Sequence, residues 1–149
     1  MDDKNIKRKV NYYVDKYGTT DPYKLAKSLK VEYFFYPLGE IWGMYMYLKR
    51  HKCIFINSEI QDESMKKYIM AHELGHAIFH TKSNIYFAEK LTNLKTIYAE
   101  REANVFAAQL ILPDEFIYEN SDMSLEEICI AKNLSMDTLR RRFMDCGLY

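Results

Sequence analysis

An α+β fold is predicted for this chain: a small antiparallel three-stranded sheet packed against an H-E-x-x-H helix and further helices, with a C-terminal helical hairpin. Two observations carry it. Apolar residues recur at helical spacing on either side of residues 31–57, and within those residues three β-branched and aromatic runs are separated by turn-like sequences. At 149 residues there is room for one compact domain with a sizeable core, and not comfortably for two.

Residues 4–17 carry Ile6, Val10, Tyr13, Val14 and Tyr17 at helical spacing, and Gly18 follows as a C′ residue. In "TTDPYKLAKSLK", Asp21 can cap a short helix with Pro22 at its first position and Leu25, Ala26 and Leu29 as its stripe. "VEYFFY", "IWGMYMYL" and "CIFIN" are the three strands, joined through "PLGE" and "KRHK". Helical spacing returns from about Asp62 to His80, and again from Leu94 until Pro113 stops it, with "TKSNIYFAEKLTN" between them as a long loop. In the tail, Ser124 and Glu127 have capping-box spacing, and Ser135 can cap a last helix carrying Met136, Leu139 and Phe143.

Lys plus Arg equals Asp plus Glu at 21 each, so no global field draws the chain to nucleic acid or an anionic membrane. Cys53, Cys129 and Cys146 are far apart without C-x-x-C spacing, which argues against a disulfide framework or a cysteine metal site. The opening "MDDKNIKRKV" is charged, and no run approaches the ~18 apolar residues of a membrane span. A cytoplasmic protein without a membrane partner is expected.

The chemistry concentrates in "YIMAHELGHAIFH". Residues four apart on a helix differ by roughly 40° around the axis and about 6 Å along it, so His72 and His76 project side by side and can chelate one cation. Glu73 borders the same face and can reach a water on that cation without being a ligand, the general-base position of H-E-x-x-H metallopeptidases. A third ligand is needed. His80 is nearest and fails on geometry: it lies about 12 Å along the axis from His72. It reads instead as a helix-end residue that bonds carbonyls or supports the site.

In "YAEREANVFAAQLILP", a helical wheel places Ala103, Asn104, Ala107 and Ile111 on the face of Glu100, and Glu102 and Gln109 on the far side. Small residues at 103 and 107, with Gly75 on the other helix, let two helices approach and bring Glu100 to the two histidines around one ion. Asn104, one turn beyond Glu100, can accept the outer ring N–H of a ligand histidine.

The ordered set "IFINSEI", "YIMAHELGHAIFH" and "EREANVFAAQLILP" resembles the ImmA/IrrE-type zinc metallopeptidases of bacteria and their mobile elements, across about residues 20–115. The resemblance implies a gluzincin-like site, with Zn2+ held by His72, His76 and Glu100, Glu73 as base, and peptide hydrolysis as the reaction. It also implies a protein substrate, a helix-turn-helix repressor, and hence an anti-repressor role. On this reading 1–149 is a single metallopeptidase domain, with 1–120 its catalytic core and 121–149 a helical hairpin subdomain. "IWGMYMYL" is a candidate edge for an extended substrate, although an aromatic strand is more often core. The proton donor to the oxyanion stays open among Tyr86, Tyr98, His51 and Arg101.

One competing reading rests on the tail. "SLEEICIAKNLSMDTLRRRF" has a helix-turn-helix pattern with Arg140, Arg141 and Arg142 on its second helix, which would make a DNA-binding regulator. Glu126 and Glu127 on the first helix and the zero net charge oppose it, so direct nucleic-acid binding is not expected. A zinc-stabilised interaction module without proteolytic activity is the other alternative, and Glu73 would have no purpose there.

Overall fold

A computed structural model of the chain describes residues 1–83, 85–87, 94–132 and 134–148. In chain order the elements are α1 (Asp3–Tyr17), α2 (Pro22–Ser28), β1 (Glu32–Tyr36), β2 (Gly43–Leu48), β3 (His51–Asn57), α3 (Glu63–Phe79), β4 (Ile85–Phe87), α4 (Leu94–Ile111), α5 (Asp114–Glu119), α6 (Leu125–Lys132) and α7 (Met136–Asp145). Local chemistry sets many of the boundaries. The carboxylates of Asp2, Asp21 and Asp62 accept the first free N–H groups of α1, α2 and α3, and Gly18 closes α1 at a φ of 68° that a side chain would strain. Ser124 and Glu127 exchange reciprocal bonds ahead of α6, and Ser135 caps α7. Pro113, the expected stop of α4, also stands as N-cap of α5, a short helix the sequence reading does not contain.

The fold is α+β, and its sheet differs from the antiparallel three-stranded expectation. Among the described residues it has four strands in the order β1-β3-β2-β4, with β1 parallel to β3 and the other pairs antiparallel. Asn57, buried at the end of β3, is the physical reason. Its side-chain N–H groups donate to the carbonyls of Gly39 and Ile41, and its Oδ1 accepts from the Leu38 amide, so the β1–β2 connection crosses the end of β3 instead of turning back beside β1. Strand β2 therefore lands on the other side of β3 and returns through Lys49 and Arg50, both at positive φ as a tight hairpin requires. The fourth strand lies within the expected long loop; three residues are too few to show an alternating pattern, and residues 84 and 88–93 of that loop lie outside the described residues. Because β4 pairs with Gly43–Tyr45, β2 is an interior strand there, the commoner place for an aromatic strand, and not a free edge.

Helix α3 runs between the sheet and α4, with α1 packed on α4 and α2 beside α3. Ile6 and Val10 of α1, Leu25 of α2, Tyr45 and Ile54 of the sheet, Met70 and Leu74 of α3, and Phe106 and Leu110 of α4 share one buried cluster. A second cluster, Leu112, Ile117, Ile128, Leu139 and Phe143, joins α5, α6 and α7 to the end of α4.

Arg142 anchors that second cluster. Its guanidinium is buried, donating to the Leu112 carbonyl from Nε and Nη2 at 2.9 and 2.7 Å and to Asp114 Oδ1 at 2.7 Å. Of the basic run in the tail, Arg142 thus faces the protein, not a nucleic-acid partner. Arg142→Met is expected to lower stability by about 1–3 kcal/mol, since a buried carbonyl would be left without its donors, and urea unfolding would show a lower midpoint.

Candidate active site

Every residue of α3 from Ile69 to Ala77 is buried. A helix so enclosed should be apolar all round, yet His72, Glu73 and His76 are each at 0% exposure. The two imidazoles, one turn apart, direct Nε2 atoms at Glu100 of α4. His72 Nε2 is 2.8 Å from Oε2 and His76 Nε2 is 3.0 Å from Oε1, so each carboxylate oxygen faces one ring. One donor atom from each of the three residues lies within 4.8 Å of the others.

The close approach of α3 and α4 depends on Gly75. A Cβ there would stand 3.1 Å from Ala103 Cα and 3.3 Å from two atoms of Phe106, so any side chain would press on the backbone of α4, the helix that carries Glu100. Gly43 has a similar place on β2, unrecognised in the sequence: a Cβ would stand 2.6 Å from Ile69 Cγ2 and 3.3 Å from Glu73 Cγ. The first residue of β2 is thereby pressed onto α3 beside Glu73.

Electrostatics separates the two buried glutamates. Burial pushes the Glu100 carboxyl upward, but hydrogen bonds from His72 and His76 outweigh it and hold the group at about 2. For Glu73, burial and then the charge of Glu100 both push the carboxyl well above the carboxylate range. Neither Glu73 oxygen has a hydrogen-bond partner among the described residues. A cation beside it would act in the opposite sense and favour the carboxylate.

Both histidines are braced at their outer nitrogens. His72 Nδ1 lies 2.8 Å from Asn104 Oδ1, which also accepts from the Tyr68 hydroxyl at 3.2 Å. An amide oxygen can only accept, so His72 Nδ1 carries a proton, and an ion held between the rings and Glu100 would meet the lone pair of Nε2. Imidazole nitrogen and carboxylate converging in a dry site call for positive charge between them, and two nitrogens with one carboxylate are a donor set suited to a divalent transition metal. The residues present fit such an ion.

His76 is braced differently. Its Nδ1 lies 3.0 Å from His80 Nδ1, and His80 Nε2 lies 3.0 Å from Glu102 Oε2. The other Glu102 oxygen receives the Met1 ammonium at 3.0 Å. Glu102 does lie off the Glu100 face, but the helix axis carries it to His80, one turn past His76; the i, i+4 spacing of His76 and His80 was the available signal. Of the four oxyanion candidates, Arg101 donates to Asp3 Oδ1 and the Met1 carbonyl, Tyr98 is 56% exposed, His51 begins β3, and the Tyr86 side chain lies outside the described residues.

An H-E-x-x-H helix backed by a mixed sheet, with a glutamate delivered from the next long helix, defines a metallopeptidase type of domain. Residues 26–143 match the family described as "IrrE N-terminal-like domain". The chain belongs to the ImmA/IrrE family of metallopeptidases. It is 37% identical over 128 residues to the "Uncharacterized immunity region protein 2" of Bacillus phage phi105, covering 84% of this chain and 80% of that protein. It is 29% identical over 118 residues to "Metallopeptidase ImmA" of Bacillus subtilis (strain 168), covering 78% of this chain and 68% of that protein. No helix among the described residues is long and apolar enough to cross a membrane.

Proposed function

We propose that the protein is a cytoplasmic zinc-dependent endopeptidase that hydrolyses a peptide bond in a protein partner, a helix-turn-helix repressor, and so acts as an anti-repressor. The observation that carries this reading is the convergence of His72, His76 and Glu100 next to a buried Glu73 whose oxygens have no protein donor among the described residues. His72, His76 and Glu100 hold the zinc, and Asn104 positions the His72 ring. When bound, zinc supplies Lewis acidity, acidifying water and polarising the scissile carbonyl.

Glu73 accepts a proton from the attacking water and returns it to the departing amine. A cleft of about 440 Å³ opens beside Asn104, lined by Trp42, Tyr68 and Ile69 on one side and Thr138 of α7 on another, and gives a peptide room next to the site. The hairpin at 121–149 contributes that wall, while 1–120 supplies the chemistry. The repressor as substrate is carried over from the family resemblance.

A regulator without proteolysis leaves the burial of Glu73 unaccounted for. The test is direct. Purified wild-type protein should carry zinc and cleave the repressor encoded beside its gene; chelation should abolish cleavage, and added zinc should restore it. Undiminished cleavage after complete metal removal, or a wild-type protein that takes up no zinc, would overturn the proposal.

A further inference from the structure

The zinc reading leaves His80 and Glu102 without a role, although both are largely shielded, with side chains only 16% and 17% exposed. Resting on that reading, we propose that they are positioning residues for the metal: His80, anchored by Glu102, accepts the Nδ1 proton of His76 and so fixes the tautomer in which His76 offers Nε2 to zinc.

The proton count leaves one consistent arrangement. A histidine that binds through Nε2 keeps its proton on Nδ1, and His76 Nδ1 lies 3.0 Å from His80 Nδ1. Two ring nitrogens cannot both donate into one hydrogen bond, so His80 Nδ1 is the acceptor. A neutral His80 then carries its proton on Nε2, which lies 3.0 Å from the acceptor-only carboxylate of Glu102. The chain of bonds is directed from both ends, by the metal at one and by a carboxylate at the other.

Its placement explains why these two residues serve. His80 is the C-cap of α3, where the backbone leaves the helix at φ −128° and ψ 45°, and its ring centroid lies 5.2 Å from that of His76. Helix α4 thus supports the ligand set at three positions: Glu100 faces both rings, Asn104 braces His72, and Glu102 braces His76 through His80. Outer partners of this kind typically set metal affinity by about 10- to 100-fold.

Zinc affinity would be measured by competition with a chromophoric chelator for wild type, His80→Phe, His80→Gln and Glu102→Ala, together with melting of each metal-free protein. His80→Phe and Glu102→Ala should bind zinc about 10- to 100-fold more weakly than wild type. His80→Gln should recover most of the loss, because its amide oxygen accepts from His76 and its NH2 donates to Glu102. Long-range 1H–15N spectra of the zinc-loaded wild type should place the His80 proton on Nε2, a readout that holds even if a variant fails to fold. Equal affinity in His80→Phe, no recovery in His80→Gln, or a His80 proton on Nδ1 would overturn the inference while leaving the zinc site standing. A wild type that binds no zinc would overturn both.

Discussion

Glu73→Gln is expected to keep the metal and to slow peptide hydrolysis by about 10²- to 10⁴-fold, the range associated with a positioned general base. The substitution is close to isosteric, alters none of the three ligand side chains, and removes the carboxylate that takes a proton from water and gives it back. Folding should not suffer. In the metal-free protein, burial and the charge of Glu100 already disfavour the Glu73 carboxylate, so a neutral amide replaces a group that is costly to ionise. Single-turnover cleavage of the repressor, with zinc content determined on the same samples, measures both parts. Wild-type cleavage rates in a zinc-loaded Glu73→Gln protein would exclude Glu73 as the base.

Glu100→Ala is expected to lose zinc altogether at working concentrations, a larger effect than the roughly 10- to 100-fold that follows loss of an outer partner. Glu100 supplies the one negative charge among the three donors, and it faces both imidazoles at 2.8 and 3.0 Å. Without it two neutral rings remain, too few donors for a closed zinc site. Chelator competition measures the loss, and cleavage should vanish in parallel. The contrast with Glu102→Ala is informative: the two glutamates are two residues apart on one helix, and only the first faces the cluster directly. Comparable zinc binding in Glu100→Ala and wild type would remove Glu100 from the ligand set.

Much of this arrangement was open to a reader of the sequence. Four-residue spacing put His72 and His76 on one face, and the run Glu100, Ala103, Asn104, Ala107 showed a smooth face carrying a carboxylate and an amide. The capping residues Asp21, Ser124 and Ser135 marked helix starts where the structure has them. The signals that failed were of another kind. Strand β1 has five exposed residues and no alternation, so nothing in "EYFFY" states which neighbour it pairs with or in which direction. Gly43 is one glycine in an aromatic run, and its use depends on Ile69 and Glu73 standing opposite it.

The amino-acid sequence by itself determined what is periodic: helix limits, the shared face of two histidines, and the small residues that let two helices meet. Those properties repeat within one or two turns, so a few neighbouring residues suffice to state them. Tertiary structure alone decided what depends on groups far apart in the chain. Asn57 carried the β1–β2 connection across the end of β3 and made the sheet mixed, and the packing of α4 on α3 decided which histidine Asn104 meets, His72, and set Glu102 against His80. Neither result is encoded at any fixed spacing, because each hydrogen bond joins groups that only the packing of the sheet and both helices brings together.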